Sequence, residues 1–104
     1  MDFLTTIIID FDGTREEISE KNYKEFLKSL EYDITISEND NDIIDERIDE
    51  LIENFPSRSA ENRAEAEKKY ESLQQQRKEN RKFIDSCEET IELIEKIAEF
   101  RGWE

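Results

Sequence analysis

Residues that break regular structure are almost absent from this chain. Gly13, Pro56 and Gly102 are the only glycines and proline among 104 residues. Turns must therefore come mainly from capping residues and from changes in the spacing of apolar side chains. The run 59–101 contains no such residue, and as one helix it would be roughly 65 Å long, about twice the diameter of a small domain. This run predicts either two helices joined by a turn or one extended coiled-coil helix.

The N-terminal segment predicts a β-hairpin. Residues 5–11 are mostly β-branched or aromatic, and Asp12-Gly13 is the pair that favours a type I′ turn. The chain then returns along residues 14–18. In the expected register three cross-strand pairs form, namely Phe11 with Thr14, Asp10 with Arg15, and Ile7 with Ile18.

A helix and a third strand are predicted next, which makes residues 1–37 a ββαβ unit. Ser19 is the expected N-cap, and the apolar residues Tyr23, Phe26, Leu27 and Leu30 follow at helical spacing. Residues 32–37 alternate between apolar and polar, which is the strand pattern.

Helical spacing returns after residue 41 and continues to the C-terminus. Residues 42–55 predict an acidic amphipathic helix that Pro56 ends. In the run 59–101 the apolar stripe disappears over residues 74–82 and returns at Ile84. The preferred interpretation is a helical hairpin that turns near residues 78–85, and the alternative is one long helix that pairs with a second copy of the chain. The predicted fold is thus a single α+β domain.

Composition excludes several classes of function. With 29 acidic and 15 basic residues, the net charge of −14 disfavours direct binding to nucleic acid or to an anionic membrane. The absence of histidine and the single Cys87 exclude histidine catalysis, an internal disulfide and structural zinc. No EF-hand spacing is present, so we expect no cofactor and no resident metal. The N-terminus lacks the pattern of a signal peptide, and we expect a cytoplasmic protein, including one acting inside an infected cell.

Carboxylates are concentrated in two helical stripes. On the predicted acidic helix, five of them fall within about 100° of arc and span about 16 Å of axis. A second group repeats this arrangement near the C-terminus. The candidate partner-binding residues are Asp42, Asp45, Glu46, Asp49, Glu53, Glu88, Glu92, Glu95 and Glu99.

The charge pattern supports two interpretations of these stripes. An amphipathic helix always presents polar residues to solvent, so each stripe can be an ordinary solvated face. However, Arg47 is the only base among residues 42–53, whereas a solvated face normally mixes both signs. Residues 58–82 carry 8 bases against 5 acids, and this basic belt could pair with the stripes within the fold or across a dimer.

One short motif resembles an enzyme family. Residues 7–14, IIIDFDGT, are similar to the first motif of the haloacid dehalogenase-like phosphatases. The resemblance implies that Asp10 would be the phosphoryl-accepting nucleophile, Asp12 the general acid/base, and both ligands of Mg²⁺. The resemblance also implies a doubly wound parallel sheet. The second motif of that family needs a Ser or Thr after another strand, and only Ser37 could match it here. A hairpin turn explains the same residues, so we predict no catalytic site.

We therefore predict a small acidic protein-binding module. Its physical profile resembles that of the acidic inhibitors found among phage counter-defence proteins, such as anti-CRISPR proteins. The expected partner is a basic, nucleic-acid-binding protein or complex whose cationic surface the carboxylates would occupy. The alternative is a structural protein that forms a homodimer or larger assembly through residues 59–101.

Overall fold

The computed structural model describes residues 6–57 and 59–103. In chain order it contains strand β1 (Thr6–Phe11), strand β2 (Thr14–Ser19), helix α1 (Tyr23–Asn54), one turn of 3₁₀ helix (Phe55–Ser57) and helix α2 (Ala60–Arg101). A two-stranded antiparallel sheet is thus followed by two long helices. The α+β class is confirmed at this level.

The predicted β-hairpin and its register are confirmed. Asp12 and Gly13 have φ angles of +51° and +79°, and positive φ at both central positions is what a type I′ turn requires. Phe11 pairs with Thr14, and Ile7 pairs with Ile18. Alternation then places Ile7 and Phe11 on a half-buried face, while the neighbouring side chains Ile8 and Asp10 are exposed.

The prediction of a third strand is wrong, because residues 32–37 lie inside α1. Alternation over six residues also fits a helix in which Ile34 and Ser37 point inward and Tyr32 and Ile36 point outward. The burial pattern shows that arrangement, with Ser37 buried and Tyr32 exposed. Strand propensity is weaker than the tertiary packing of a long amphipathic helix. For the same reason residues 42–54 are the second half of α1, not a separate acidic helix.

Helix α1 begins at Tyr23, four residues after the predicted N-cap Ser19. Asn22 makes the junction instead: its side-chain amide donates to the Glu17 carbonyl oxygen at 2.9 Å, and its Oδ1 accepts the Ser19 amide at 2.7 Å. The Asn22 carbonyl accepts the first helical hydrogen bond, from the Phe26 amide at 3.0 Å. One asparagine side chain therefore connects the end of β2 to the start of α1.

Helix α2 is continuous, so the predicted turn near residues 78–85 is wrong. The segment is one long helix, as the alternative expected, and its pairing with a second copy of the chain stays a prediction. Residues 74–82 lack apolar side chains, but glutamine, lysine, arginine and glutamate are good helix formers. Ser59 starts the helix, since its carbonyl accepts the Arg63 amide at 2.8 Å.

The C-terminus of α2 ends in a Schellman motif. Gly102 has a φ of +70°, and its amide donates to the Glu99 carbonyl at 3.2 Å. The Trp103 amide donates to the Ala98 carbonyl at 2.8 Å. This reversal turns the indole of Trp103 inward, where it is buried.

The described residues form two compact units, here called the hairpin unit (6–34 and 85–103) and the turn unit (35–57 and 59–84). In the hairpin unit, Tyr23 packs against Trp103 with ring centroids 5.3 Å apart, and Phe11 meets Phe26 edge-on at 6.2 Å. Its buried side chains are Ile18, Tyr23, Leu30, Cys87, Ile94, Ala98 and Trp103. The one-domain organisation stays a prediction.

The turn unit contains only helical residues and the connection between the helices. Its buried side chains are Ser37, Ile44, Ile48, Ala66 and Ile84. Leu51 and Leu73 are half-buried beside them. Within the described part of the chain, neither helix contains a stretch apolar enough to cross a membrane.

Candidate protein-binding surface

Four carboxylates of α1 form an exposed row in the turn unit. They are separated by four, three and four residues, so they lie on one face of the helix and span about 16 Å of its axis. All four are exposed, as the sequence pattern predicts. We call them the α1 row: Asp42, Glu46, Asp49 and Glu53.

Asp45 does not belong with this row. Its Oδ1 lies 3.2 Å from Nε of Arg77 on α2, and the two side chains are 44% and 49% exposed. The pair shows that part of the basic belt faces the acidic side of α1 inside the turn unit. Sequence reasoning grouped Asp45 with its neighbours because a helical wheel does not show what the next helix presents.

Four carboxylates of α2 form a second exposed row, in the hairpin unit. Their separations of four, three and four residues repeat those of the first row. Oε1 of Glu92 lies 3.1 Å from Nζ of Lys96, one turn later in the same helix. We call these residues the α2 row: Glu88, Glu92, Glu95 and Glu99.

The two units differ strongly in charge. By sequence, residues 1–34 and 85–104 hold 16 acidic and 6 basic residues, a net charge of −10. Residues 35–84 hold 13 acidic and 9 basic residues, a net charge of −4. The α2 row therefore lies in the unit with the larger negative charge, where Lys96 and Lys24 are the bases beside it.

An open groove adjoins the α2 row. It is lined by Glu95 and Glu99 together with Tyr23, Lys24 and Leu27 of α1. Carboxylates beside the buried Tyr23 and the half-buried Leu27 suit a lysine or arginine, whose aliphatic stem can pack while its charged end meets the carboxylates. Sequence reasoning missed the α1 contribution, because residues 23 and 95 are brought together only by the packing of α1 against α2.

A second open groove, in the turn unit, has mixed charge. Arg77, Lys78 and Arg81 line it opposite Glu38, Asp42 and Asp45. Bases within the same groove lower the potential that Asp42 presents to a partner. The α1 row is thus partly balanced from within the fold, which is one of the two pairings that the sequence left open for the basic belt.

The phosphatase-like motif lies in the hairpin turn. Asp10 faces Arg15, with Oδ1 3.9 Å from Nε, and both side chains are more than four-fifths exposed. Among the described residues the sheet has only two antiparallel strands, and Ser37 is buried inside α1. The doubly wound parallel sheet that the resemblance implies is therefore not what surrounds Asp10 and Asp12 in the described structure. No group of three or more acidic or cysteine side chains in the described ranges is arranged to hold a metal ion.

Cys87 is fully buried in the hairpin unit. Burial raises the pKa of its thiol to about 11, and the negative charges of Asp33, Asp12 and Glu88 add to the rise. A thiol with a raised pKa is a poor nucleophile, since the thiolate is the reactive form. Cys87 is therefore a packed core residue of the hairpin unit.

Comparison of the chain with protein-family models, with curated proteins and with solved structures finds no match. Function is therefore inferred from the geometry and the charge of the chain itself.

Proposed function

We propose that this protein is a small acidic binding module that occupies the cationic, nucleic-acid-binding surface of another protein and so inhibits it. The observation that carries the proposal is the pair of exposed carboxylate rows with the same spacing, the α1 row and the α2 row. Each row has intervals of about 5.5 Å along a rigid helix. A regular line of anionic groups is what a protein that tracks a phosphate backbone recognises.

The α2 row is the main contact in this proposal. It lies in the unit with net charge −10, and the adjoining groove adds Tyr23 and Leu27 to the carboxylates. The α1 row is secondary, because Arg77, Lys78 and Arg81 lie in the same unit and offset part of its charge. An exposed ion pair contributes at most about 1 kcal/mol, so binding depends on several carboxylates acting together.

The test compares triple charge reversals of equal size. One variant changes Glu92, Glu95 and Glu99 to Lys; a second changes Asp42, Glu46 and Asp49 to Lys. A matched control changes three exposed α2 carboxylates that lie outside both rows and both grooves, Glu61, Glu65 and Glu67, to Lys. Circular dichroism checks that each variant remains helical.

The partner is captured from host lysate on immobilised wild-type protein, identified by mass spectrometry and purified. Its affinity is then measured at low and high salt, with and without a competing DNA duplex. We expect the α2-row variant to lose at least about tenfold in affinity and to have a shallower salt dependence, the α1-row variant to lose less, and the control least. Equal affinity and equal salt dependence for wild type and the α2-row variant would contradict the proposal, as would a ternary complex with the duplex.

Self-assembly through α2 is the second candidate function. Leu93 and Phe100 are seven residues apart on one face of α2, and Phe100 is 90% exposed. Exposed apolar side chains that share one helix face can form the contiguous patch that marks an association surface. Sedimentation of the same preparation separates the candidates: a mass that rises with concentration in wild type but not in Phe100→Ser supports assembly, and a constant mass supports the inhibitor.

A further inference from the structure

A cluster of polar side chains interrupts the apolar interior of the turn unit. Positions that face the helix pair recur with a seven-residue repeat, on α1 at 37, 41, 44, 48 and 51 and on α2 at 66, 70, 73, 77, 80 and 84; all are buried or half-buried except Tyr70 and Arg77, which are exposed at the edge of this interface. Most of them hold apolar or aromatic residues. The polar exceptions on both helices lie at neighbouring levels, and we call these four the polar layer: Ser37, Asn41, Arg77 and Asn80.

Two side chains of the polar layer, Asn41 and Asn80, are matched across the two helices. Nδ2 of Asn80 donates to Oδ1 of Asn41 at 3.0 Å, and both residues are half-buried. One turn further along α1, Asp45 pairs with Arg77 at 3.2 Å. Two polar contacts thus connect α1 to α2 within a short stretch of the interface.

This matching exists in one register only. A slip of one heptad in one direction would place Asn80 against Ile48, and a slip in the other would place Asn41 against Leu73. Either slip would leave an amide without its partner in a half-buried site, which costs about 1 to 3 kcal/mol. Apolar positions, in contrast, accept several registers, because one aliphatic side chain packs against another with little directional preference.

We propose that the polar layer is the device that sets the register of α1 against α2 in the turn unit. Its amides contribute less stability than leucines would at the same positions, and in exchange they select one alignment of the two helices. The run 74–82, which lacks an apolar stripe, is therefore a specificity element inside a continuous helix.

The test replaces both asparagines and measures a distance. Nitroxide labels on Glu50→Cys and Glu71→Cys, both exposed positions of the turn unit, report the alignment by pulsed electron paramagnetic resonance. Buried Cys87 stays unlabelled at neutral pH because its thiol is shielded and protonated. The variant is Asn41→Leu with Asn80→Leu. The matched control, Asn39→Leu with Gln75→Leu, adds two leucines at exposed positions of the same helices.

We expect one narrow distance distribution in the labelled wild type and in the control. In the leucine pair we expect a second distance or a clear broadening, since a one-heptad slip moves a helix by about 10 Å along its axis. We also expect a higher melting temperature, because leucines at these positions contribute more stability than the asparagines do. Asn41→Leu alone should melt below both wild type and the leucine pair, because Asn80 loses its partner. One unchanged narrow distance in the leucine pair would overturn the proposal, and so would a single variant as stable as the pair.

Discussion

The hairpin unit and the turn unit use the same two helices but fill their interiors differently. In the hairpin unit the inward positions of α2 hold Cys87, Ile94 and Ala98, each with no exposed surface. At inward positions of the turn unit, Arg77 is half-exposed and Asn80 is half-buried. The difference follows from what covers the helices. The β-hairpin contributes Phe11 and Ile18 to the hairpin unit, whereas a pair of helices alone can bury only one seam.

Charge follows the same division. The unit with the apolar interior has a net charge of −10, and the unit with the polar layer has a net charge of −4. In the hairpin unit, apolar packing offsets the repulsion among the carboxylates, and bases such as Lys96 pair with them only at the surface. In the turn unit a base contacts an acidic side chain of the opposite helix, as Arg77 of α2 does with Asp45 of α1. The more acidic surface therefore lies on the unit whose interior side chains are the most completely buried.

The largest expected effect is a cavity in the hairpin unit. Ile94→Ala should lower the free energy of unfolding by about 3 to 5 kcal/mol, because Ile94 has no exposed surface and its site cannot collapse freely. Ile48→Ala in the turn unit, where the side chain is 7% exposed, should cost closer to about 2 kcal/mol. Urea unfolding measures both. Leu93→Ala, at a 48% exposed position of α2, is the control and should cost under about 1 kcal/mol. If Ile48→Ala were the more damaging change, the contrast between the two interiors would be wrong.

The next effect tests whether the interior of the hairpin unit is as dry as its burial indicates. At pH 8 a thiol with a pKa of about 11 is ionised about a hundredfold less than one at its ordinary value of 9.0, so Cys87 should react with a disulfide reagent at least that much more slowly in folded than in unfolded protein. Since the folded pKa is raised, the stabilisation from the neutral thiol is complete below about pH 9 and is lost as the pH rises towards about 11.

The control for this thiol experiment is a new, exposed cysteine next to the buried one. Ser86→Cys introduces such a thiol on the same helix, and it should react at the rate of an ordinary surface cysteine. Comparable rates for Cys87 and this added thiol in the folded protein would show that the hairpin unit opens readily to solvent.

The smallest effect concerns the ion pair of the turn unit. A double-mutant cycle with Asp45→Asn and Arg77→Gln should give a coupling energy below about 1 kcal/mol that decreases with added salt, because both side chains are about half exposed. The cycle is measured by thermal or urea unfolding at two salt concentrations. A coupling above about 2 kcal/mol that does not depend on salt would mean that this pair is desolvated, and the two units would then be less different than described.

Much of the candidate binding surface could be predicted from the sequence. The spacing of charged residues within one helix fixes which side chains share a face, and eight of the nine predicted carboxylates are exposed accordingly. Asp45 is the exception, because its environment depends on Arg77, which lies 32 residues later. The groove that places Tyr23 and Leu27 beside Glu95 and Glu99 could not be predicted for the same reason.

What the sequence by itself determined is local. The Asp12-Gly13 pair sets a type I′ turn, and the hairpin register follows from it, because a two-residue loop leaves no freedom in pairing. Gly102 ends α2 because it adopts a positive φ at no steric cost. Tertiary structure decided the rest: residues 32–37 and 74–82 are helical because each can present inward side chains to the opposite helix, apolar at Ile34 and hydrogen-bonded at Asn80. Short-range pattern is ambiguous in both segments, and burial and polar pairing with residues far along the chain resolve the ambiguity.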